Sequence, residues 1–295
     1  MIVNIKRVIK QYLPGLHAAL FRLKSRSRIW RKIYRELEPE TFIGWLGLIV
    51  SVLYDTALYC IVPKLALSPK SIFSLNLYSP ALKIKFYVRG GTDDIYNVLP
   101  FREMDVHEAI LGNLRSGDVF IDGGANIGYY TILGARAVGD GGTVVAIEAA
   151  KTTAKVLAYN LEINNITNAI VVNKAIQSNP DLKTTQLVLA NGNYGMATVA
   201  KPGKNVFTQK LIVNVTTIDN ICHQYKHIRM LKLDIEGAEY SALKGAADTL
   251  VKTDFTVVEC NESMIEIGKL LTQHGFNVRK LNFTTYILSY REKGK

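Results

Sequence analysis

"DVFIDGGANIGYYTILGARA", residues 118–137, is the stretch whose reading decides the fold. It opens as a short β-branched and aromatic run, "DVFID", suited to a strand buried on both faces, and ends with the apolar spacing of a helix. Between them stand Gly123, Gly124, Asn126 and Gly128. A strand that feeds a helix through a glycine-rich turn is the first unit of an open α/β sheet. Ligands of such sheets sit at the C-terminal strand ends, near the point where the strand order reverses. Residues 122–128 are therefore the first candidate for a binding turn.

Working outward, strands and helices alternate. "TVVAIE" (143–148) and "AIVVNKAI" (169–176) read as strands around a helix at 150–165, and "MLKLDI" (230–235) and "FTVVEC" (255–260) as strands around a helix at 239–250. A further helix near 262–274 precedes "FNVRKL" (276–281) and "TYILSY" (285–290), which lie too close in sequence to be parallel. With "DVFID" these runs predict a mainly parallel seven-stranded sheet under helices, closed by an antiparallel C-terminal hairpin. "TTQLVLA" (184–190) and "QKLIVNVTTI" (209–218) look like a hairpin-type excursion with turn signals in "NGNYG" and "KPGKN". Upstream, "LKIKFYV" (82–88) alternates like a strand, "RGGTDD" (89–94) is a turn and 101–114 has helical spacing. The expected division is a mostly helical, basic N-terminal extension at 1–80 and an α/β domain at 81–295.

The formal charge of +11 is uneven: residues 1–40 hold ten Lys/Arg against Glu36, Glu38 and Glu40, or +7 of the total. Such an excess suits an anionic partner or a solvated basic helix. No RNA-recognition or zinc-finger signature accompanies it, so nucleic acid is not the expected partner. Cys60, Cys222 and Cys260 are odd in number and widely spaced, which argues for a reducing, cytoplasmic setting. The start of the chain lacks the compact apolar core of a secretory signal. From Phe42 to Val62, "FIGWLGLIVSVLYDTALYCIV" carries a single charge, Asp55, and approaches the roughly 20 residues that span a bilayer. Three readings stay open for it: a helix packed on the domain, attachment of residues 1–62 to an anionic membrane surface, or a true span made costly by Asp55.

The turn itself discriminates between nucleotide ligands. A dinucleotide fingerprint GxGxxG counted from Gly123 requires glycine at 125, where Ala125 stands. Counted from the acid, the pattern is Asp122-x-Gly124-x-Asn126-x-Gly128, the acid-plus-glycine arrangement of nucleoside-binding methyltransferases. Gly124 then lets backbone approach a ligand without a Cβ, and Gly128 lets the following helix pack on the strand. Glu148 ends the next strand, where a carboxylate accepts both hydroxyls of a ribose.

"IDGGANIGYYT", "VVAIEA" and "LKLDIEGAEYSALKGA", in that order, resemble the FkbM-type family of S-adenosylmethionine-dependent methyltransferases, with "RGGTDD" and "VTTID" (215–219) also matching. The resemblance runs from about residue 86 to 290, and departs at Ala149, where the family commonly has proline. It implies a class I, Rossmann-like methyltransferase fold, S-adenosylmethionine as methyl donor and, most often, methylation of a hydroxyl oxygen. It further implies that Gly124 and Asn126 lie against the amino acid portion of the donor, with Thr131 a hydroxyl contact, Glu148 on the ribose, and Ala175 and Ile176 flanking adenine.

Asp234 ends the fourth parallel strand, on the side where an acceptor must face the methyl group. A carboxylate there serves as general base for a hydroxyl, or orients the donor's ammonium. Glu236 and Glu239 follow at a helix start, where the helix dipole alone favours acids. Glu259, at the end of the fifth strand, faces either the acceptor or solvent, and Thr92 and Asp93 form a turn that closes over the cofactor or merely a turn. Asp219 reads as a helix N-cap. His223 and His227 have the spacing of a zinc helix, but Gln224 replaces the glutamate of HExxH and no third ligand is evident, so no metal is expected.

The sequence thus points to an O-methyltransferase acting on a sugar, glycan, lipid or small metabolite, with oligomeric state left open. Two rivals stand beside it: a catalytically silent, membrane-peripheral scaffold on the same fold, and an NAD(P)-dependent oxidoreductase.

Overall fold

The computed structural model describes residues 14–63, 68–190, 193–198, 208–260, 264–281 and 285–291. The turn signals at 191–192 and 201–205 and the basic residues Lys6, Arg7 and Lys10 lie outside them. The chain divides into two compact units, Met1–Pro100 and Phe101–Lys295.

The first unit pairs two helices, α1 (Pro14–Glu36) and α2 (Phe42–Ile61), with a three-stranded antiparallel sheet of β1 (Glu38–Pro39), β2 (Leu75–Ser79) and β3 (Ile84–Val88). The expected boundary at residue 80 moves because the strand read at 82–88 is β3. It zips onto β2 with Leu75 opposite Val88 and Ser79 opposite Ile84, and hairpin partners cannot be divided between units. The N-terminal portion is mostly helical, as expected, with this small sheet added. Asp55, the lone charge in the apolar run, is buried and accepts from Nε and Nη2 of Arg26 (2.7 and 3.0 Å) and from Trp30 Nε1 (2.7 Å). In "RGGTDD" Arg89 forks onto Asp94 and Thr92 Oγ1 donates to the Arg89 carbonyl, ahead of the short α3 (Asp94–Asn97), while Gly90 N and Gly91 N donate to Ser74 Oγ and the Ser71 carbonyl.

The second unit begins with α4 (Met104–Leu111) and is built on a seven-stranded sheet. Its parallel strands are β4 (Val119–Gly123), β5 (Thr143–Ile147), β6 (Ala169–Val172), β11 (Ile228–Leu233) and β12 (Thr253–Glu259). The antiparallel hairpin β13 (Asn277–Lys280) and β14 (Tyr286–Tyr290) completes it. Across the sheet the order is β6-β5-β4-β11-β12-β14-β13. This is the class I methyltransferase fold that the resemblance implies. Strand order reverses between β4 and β11, so their C-terminal ends form the switch point.

Period-two alternation gives each face its own core. Ile121, Val145, Leu231 and Val258 pack on one side, while Phe120, Val144, Met230 and Val257 pack on the other. Between the strands run α5 (Tyr129–Val138), α6 (Lys151–Glu162), α7 (Ile218–Cys222), α8 (Glu239–Lys244), α9 (Ala247–Val251) and α10 (Met264–Gln273).

Two expectations need correction here. The run read as one strand at 169–176 breaks at Asn173: β6 stays in the main sheet, and β7 (Ala175–Ile176) pairs with β10 (Thr208–Thr216). With β8 (Thr184–Ala190) and β9 (Asn193–Thr198) they form a second, four-stranded sheet, order β7-β10-β8-β9. Asp219 does not cap its own helix, whose N-cap is Thr217. Its carboxylate instead accepts from Thr249 N and Oγ1, both at 2.7 Å, in the first turn of α9.

Candidate active site

Two turns meet at the switch point. After β4, the amides of Gly124 and Ala125 both donate to the Ile147 carbonyl at 3.0 Å, and Asn160 Nδ2 anchors the Ile127 carbonyl at 2.8 Å. Gly124 (φ +76°), Asn126 (φ +49°) and Gly128 (φ +102°) are left-handed, a conformation glycine takes freely and asparagine tolerates.

The glycines do different work from that expected. A Cβ on Gly124 would lie 1.8 Å from the carbonyl oxygen of Asp234, so its missing side chain first makes room for the end of β11. A Cβ on Gly128 would strike Leu157 of α6 at 2.8 Å. The glycine that seats α5 on its strand is Gly134, whose Cβ would lie 2.4 Å from the Phe120 ring.

Glu148, immediately after β5, is buried and tied on both oxygens: Asn126 N donates to Oε2 (3.1 Å) and Ala150 N to Oε1 (2.9 Å). It fastens the glycine turn to the neighbouring strand end. Asn126 Oδ1 is buried without a hydrogen-bond partner, the state of an acceptor whose donor comes from outside the chain.

Asp122 and Thr131 do not line this turn. Both are fully buried, and Thr131 Oγ1 donates to Asp122 Oδ2 at 2.7 Å. The second Asp122 oxygen lies 3.0 Å from Nζ of Lys232. Lys232 is 2% exposed near the C-terminal end of β11 and also donates to the Gly124 carbonyl at 2.9 Å. Burial alone would depress its pKa, but Asp122 and then Asp234 outweigh it, and the net direction is upward. The side chains of Ala175 and Ile176, the residues expected beside adenine, are buried in the core clusters on either side of β7.

The second turn follows β11. Asp234 N donates to the Gly123 carbonyl at 3.0 Å, which clamps the two strand ends together. Its carboxylate accepts from the hydroxyl of Tyr286 on β14 at 2.7 Å and lies 3.9 Å from Lys232 Nζ. Glu236 is left-handed (φ +54°), a strained state for a residue with a Cβ, and Gly237 follows at φ +97°. Glu239 holds this turn by accepting from Ile235 N (2.8 Å) and Gly237 N (3.0 Å), so its part is structural.

Carboxylate oxygens of Asp234, Glu236 and Glu259 lie within 4.8 Å of one another, near enough to hold a cation or share a proton. Thr285 Oγ1 donates to Glu259 Oε1 at 3.3 Å, whereas Oε2 is buried without a donor. Burial, then Asp234 and Glu236, push the Glu259 pKa up to about 9, so at neutral pH Glu259 is a neutral acid able to donate to Asp234. Glu103, before α4, also has a raised pKa through burial and accepts from Tyr130. Asp122, Asp234 and Glu103 thus act on the buried Lys232, and Asp234 also belongs to the carboxylate cluster with Glu236 and Glu259.

Sequence reasoning picked Asp234 and Glu236 and raised Glu259 as one of two readings, but missed Lys232, Tyr286 and Glu103. For Lys232 a signal existed: a lysine inside the otherwise apolar "MLKLD" must find a buried anion. Tyr286 and Glu103 carried none, since each reaches the site only through folding. His223 and His227 are exposed and apart in role, His227 lying 3.0 Å from Asp254.

The profile of the Methyltransferase FkbM domain matches residues 122–286, more than half of the chain. The upstream "RGGTDD" falls outside this match. No curated protein matches the chain significantly. Similar solved structures include a SAM-dependent O-methyltransferase from Thermotoga maritima, 15% identical over 79% of this chain and 82% of that one, TM-score 0.41. A precorrin-6y C5,15-methyltransferase from Geobacter metallireducens is 10% identical over 66% and 91%, TM-score 0.43. A SAM-dependent methyltransferase from Aquifex aeolicus is 13% identical over 64% and 86%, TM-score 0.35.

Proposed function

The chain belongs to the FkbM methyltransferase family, with S-adenosylmethionine as its methyl donor, and from that premise we propose that it methylates a hydroxyl oxygen, with Asp234 taking up the hydroxyl's proton. The acceptor class we infer is a small metabolite, sugar, glycan or lipid. When bound, the donor would supply a methyl on a cationic sulfonium, the C–S bond breaking as the C–O bond forms so that sulfur leaves as a neutral thioether.

The chain's residues fit such a donor. The orphaned Asn126 Oδ1 suits a donor group such as an ammonium, and the Glu148 carboxylate, at the end of β5 beside it, suits ribose hydroxyls. The carboxylate cluster favours a cation over the neutral product by Coulomb attraction.

The observation that carries the reading is the setting of Asp234 at the switch point. Its carboxylate accepts from Tyr286 and lies beside Lys232, while its neighbour Glu259 holds a proton at neutral pH. Asp234, set between Tyr286, Lys232 and Glu259, is thus the carboxylate placed to receive a proton, with Glu236 beside it.

The test is Asp234→Ala, assayed with radiolabelled donor against cell extract whose products are fractionated into lipid, glycan and small molecules. General-base removal costs on the order of 10²- to 10⁴-fold in transfer, with donor affinity largely kept by calorimetry. Unimpaired transfer by the variant, or label recovered only on nucleic acid, defeats the proposal. Nicotinamide binding without donor binding would favour the oxidoreductase rival.

A further inference from the structure

Helix α2 wears its polarity inside out. The residues it turns outward are Phe42, Ile43, Leu46, Ile49, Val50, Leu53, Tyr54, Ala57 and Ile61, an unbroken apolar stripe at helical spacing, with Phe42, Ile43 and Ile61 more than three-quarters exposed. The residues it buries are Gly47, Leu48, Ser51 and Asp55. Ser51 Oγ donates to the Gly47 carbonyl and accepts from Ile72 N at 3.0 Å, while Asp55 accepts from Arg26 and Trp30. In water the arrangement is backwards, because the groups that water would solvate are inside and those it rejects are outside.

Helix α1 lies antiparallel beside it, with the Tyr34 ring tilted against Trp45 at 5.7 Å between centroids and Arg26 on Asp55. Its exposed residues change character along its length: Leu16, Leu20, Phe21 and Leu23 first, then Lys24, Arg28, Arg31 and Arg35. No acid interrupts the helix before Glu36.

We propose that this helix pair docks the protein on the surface of an anionic lipid bilayer, with α2 lying in the membrane plane and the basic stretch of α1 against the headgroups. The apolar stripe supplies the buried surface, and the cationic residues beside it supply charge complementarity to acidic lipid. Among the described residues α2 is the one helix long and apolar enough to cross a membrane. Its middle is nonetheless clothed by protein. A Cβ on Gly47 would lie 3.4 Å from both Phe73 and Leu75, and Lys70 N and Ile72 N reach Asp55 and Ser51. A crossing would drag that irregular backbone and the Arg26–Asp55 pair into hydrocarbon, whereas an in-plane helix leaves them on the wet side.

The experiment is flotation of the full chain with vesicles of phosphatidylcholine alone and of phosphatidylcholine mixed with phosphatidylglycerol. The wild type floats with the mixed vesicles, less with the neutral ones, and is released by alkaline carbonate. Leu53→Glu lowers the bound fraction at least about tenfold, as expected when one leucine's burial is replaced by a charge. Arg28→Glu combined with Arg31→Glu abolishes the preference for anionic lipid. An unchanged helical circular dichroism signal and a monomeric elution volume in vesicle-free buffer show that the helix pair of these variants is folded. Failure of the wild type to float, or unchanged flotation of Leu53→Glu, overturns the proposal. So does retention after carbonate, which signifies a span, or a stable dimer in vesicle-free buffer that Leu53→Glu dissociates, which signifies that a second copy covers the stripe.

Discussion

Replacing Lys232 by methionine tests the electrostatic floor of the site. Met keeps most of the side-chain volume and removes the ammonium, so packing in β11 changes little while Asp122 loses its countercharge. Both partners are sealed from water, at 2% and 0% exposure, and their charged atoms are 3.0 Å apart. Breaking such a pair from one side leaves an uncompensated buried charge and costs about 3–5 kcal/mol. In a unit the size of Phe101–Lys295 each kcal/mol moves the melting midpoint by about 2–4 °C, so the expected fall is roughly 6–20 °C. The assay is thermal and urea denaturation of the whole chain, following the transition that S-adenosylmethionine shifts upward and so reports the donor-binding unit. A second variant, Lys232→Met with Asp122→Asn, removes both charges and leaves Thr131 to hydrogen-bond the amide. It recovers at least half of the loss, because the penalty belongs to the stranded anion and not to the missing lysine. A single-variant loss below about 1 kcal/mol, or a double-variant loss equal to the sum of its singles, refutes the reasoning.

Gly124→Ala places a Cβ 1.8 Å from the Asp234 carbonyl in a left-handed residue, and weakens donor binding at least tenfold by forcing the two strand ends apart. Gly117→Ala is its control: that site is also left-handed (φ +87°) but has nothing within 4 Å, so it costs only about 1–2 kcal/mol of stability and leaves calorimetric affinity unchanged. For Glu259, a folded pKa near 9 lies above the unfolded carboxylate value, so the folded state holds the extra proton and its stability is fully present below the unfolded value. That stability is lost as pH rises through 9. Glu259→Gln, which mimics the protonated acid, therefore melts with a flatter pH dependence and lacks any loss of methyl transfer near pH 9. A wild-type profile with no change in that range would show that Glu259 ionises normally.

Much of the second unit was legible because its signals are local. Period-two runs bounded by glycine and the chain order strand–helix–strand gave the parallel sheet, and the short spacing of the last two strands gave the hairpin. What failed did so for tertiary reasons. The run 169–176 is uniformly suited to β-structure, and only the competing edge of β10 decides that Ala175 leaves the main sheet. The strand at 82–88 looked like the first of the α/β domain until β2 claimed it. Asp219 has the look of a cap for the helix it begins, yet it caps α9, thirty residues on in the chain.

By itself the sequence determined the fold class, the family and the two strand-end turns, since glycine conformations, alternating apolarity and an acid after each strand are properties of short segments. It also exposed the apolar run 42–62, though not which way that run faces. Only the tertiary structure decided the roles. It sank Asp122 and Thr131 beneath the site and brought Lys232 between two carboxylates. It carried Tyr286 from the far end of the chain to Asp234, fifty-two residues earlier, and set Glu259 among like charges that hold a proton on it. The physical reason is the same in each case: burial and charge proximity are properties of neighbours in space, and a residue's function here depends on the field those neighbours create.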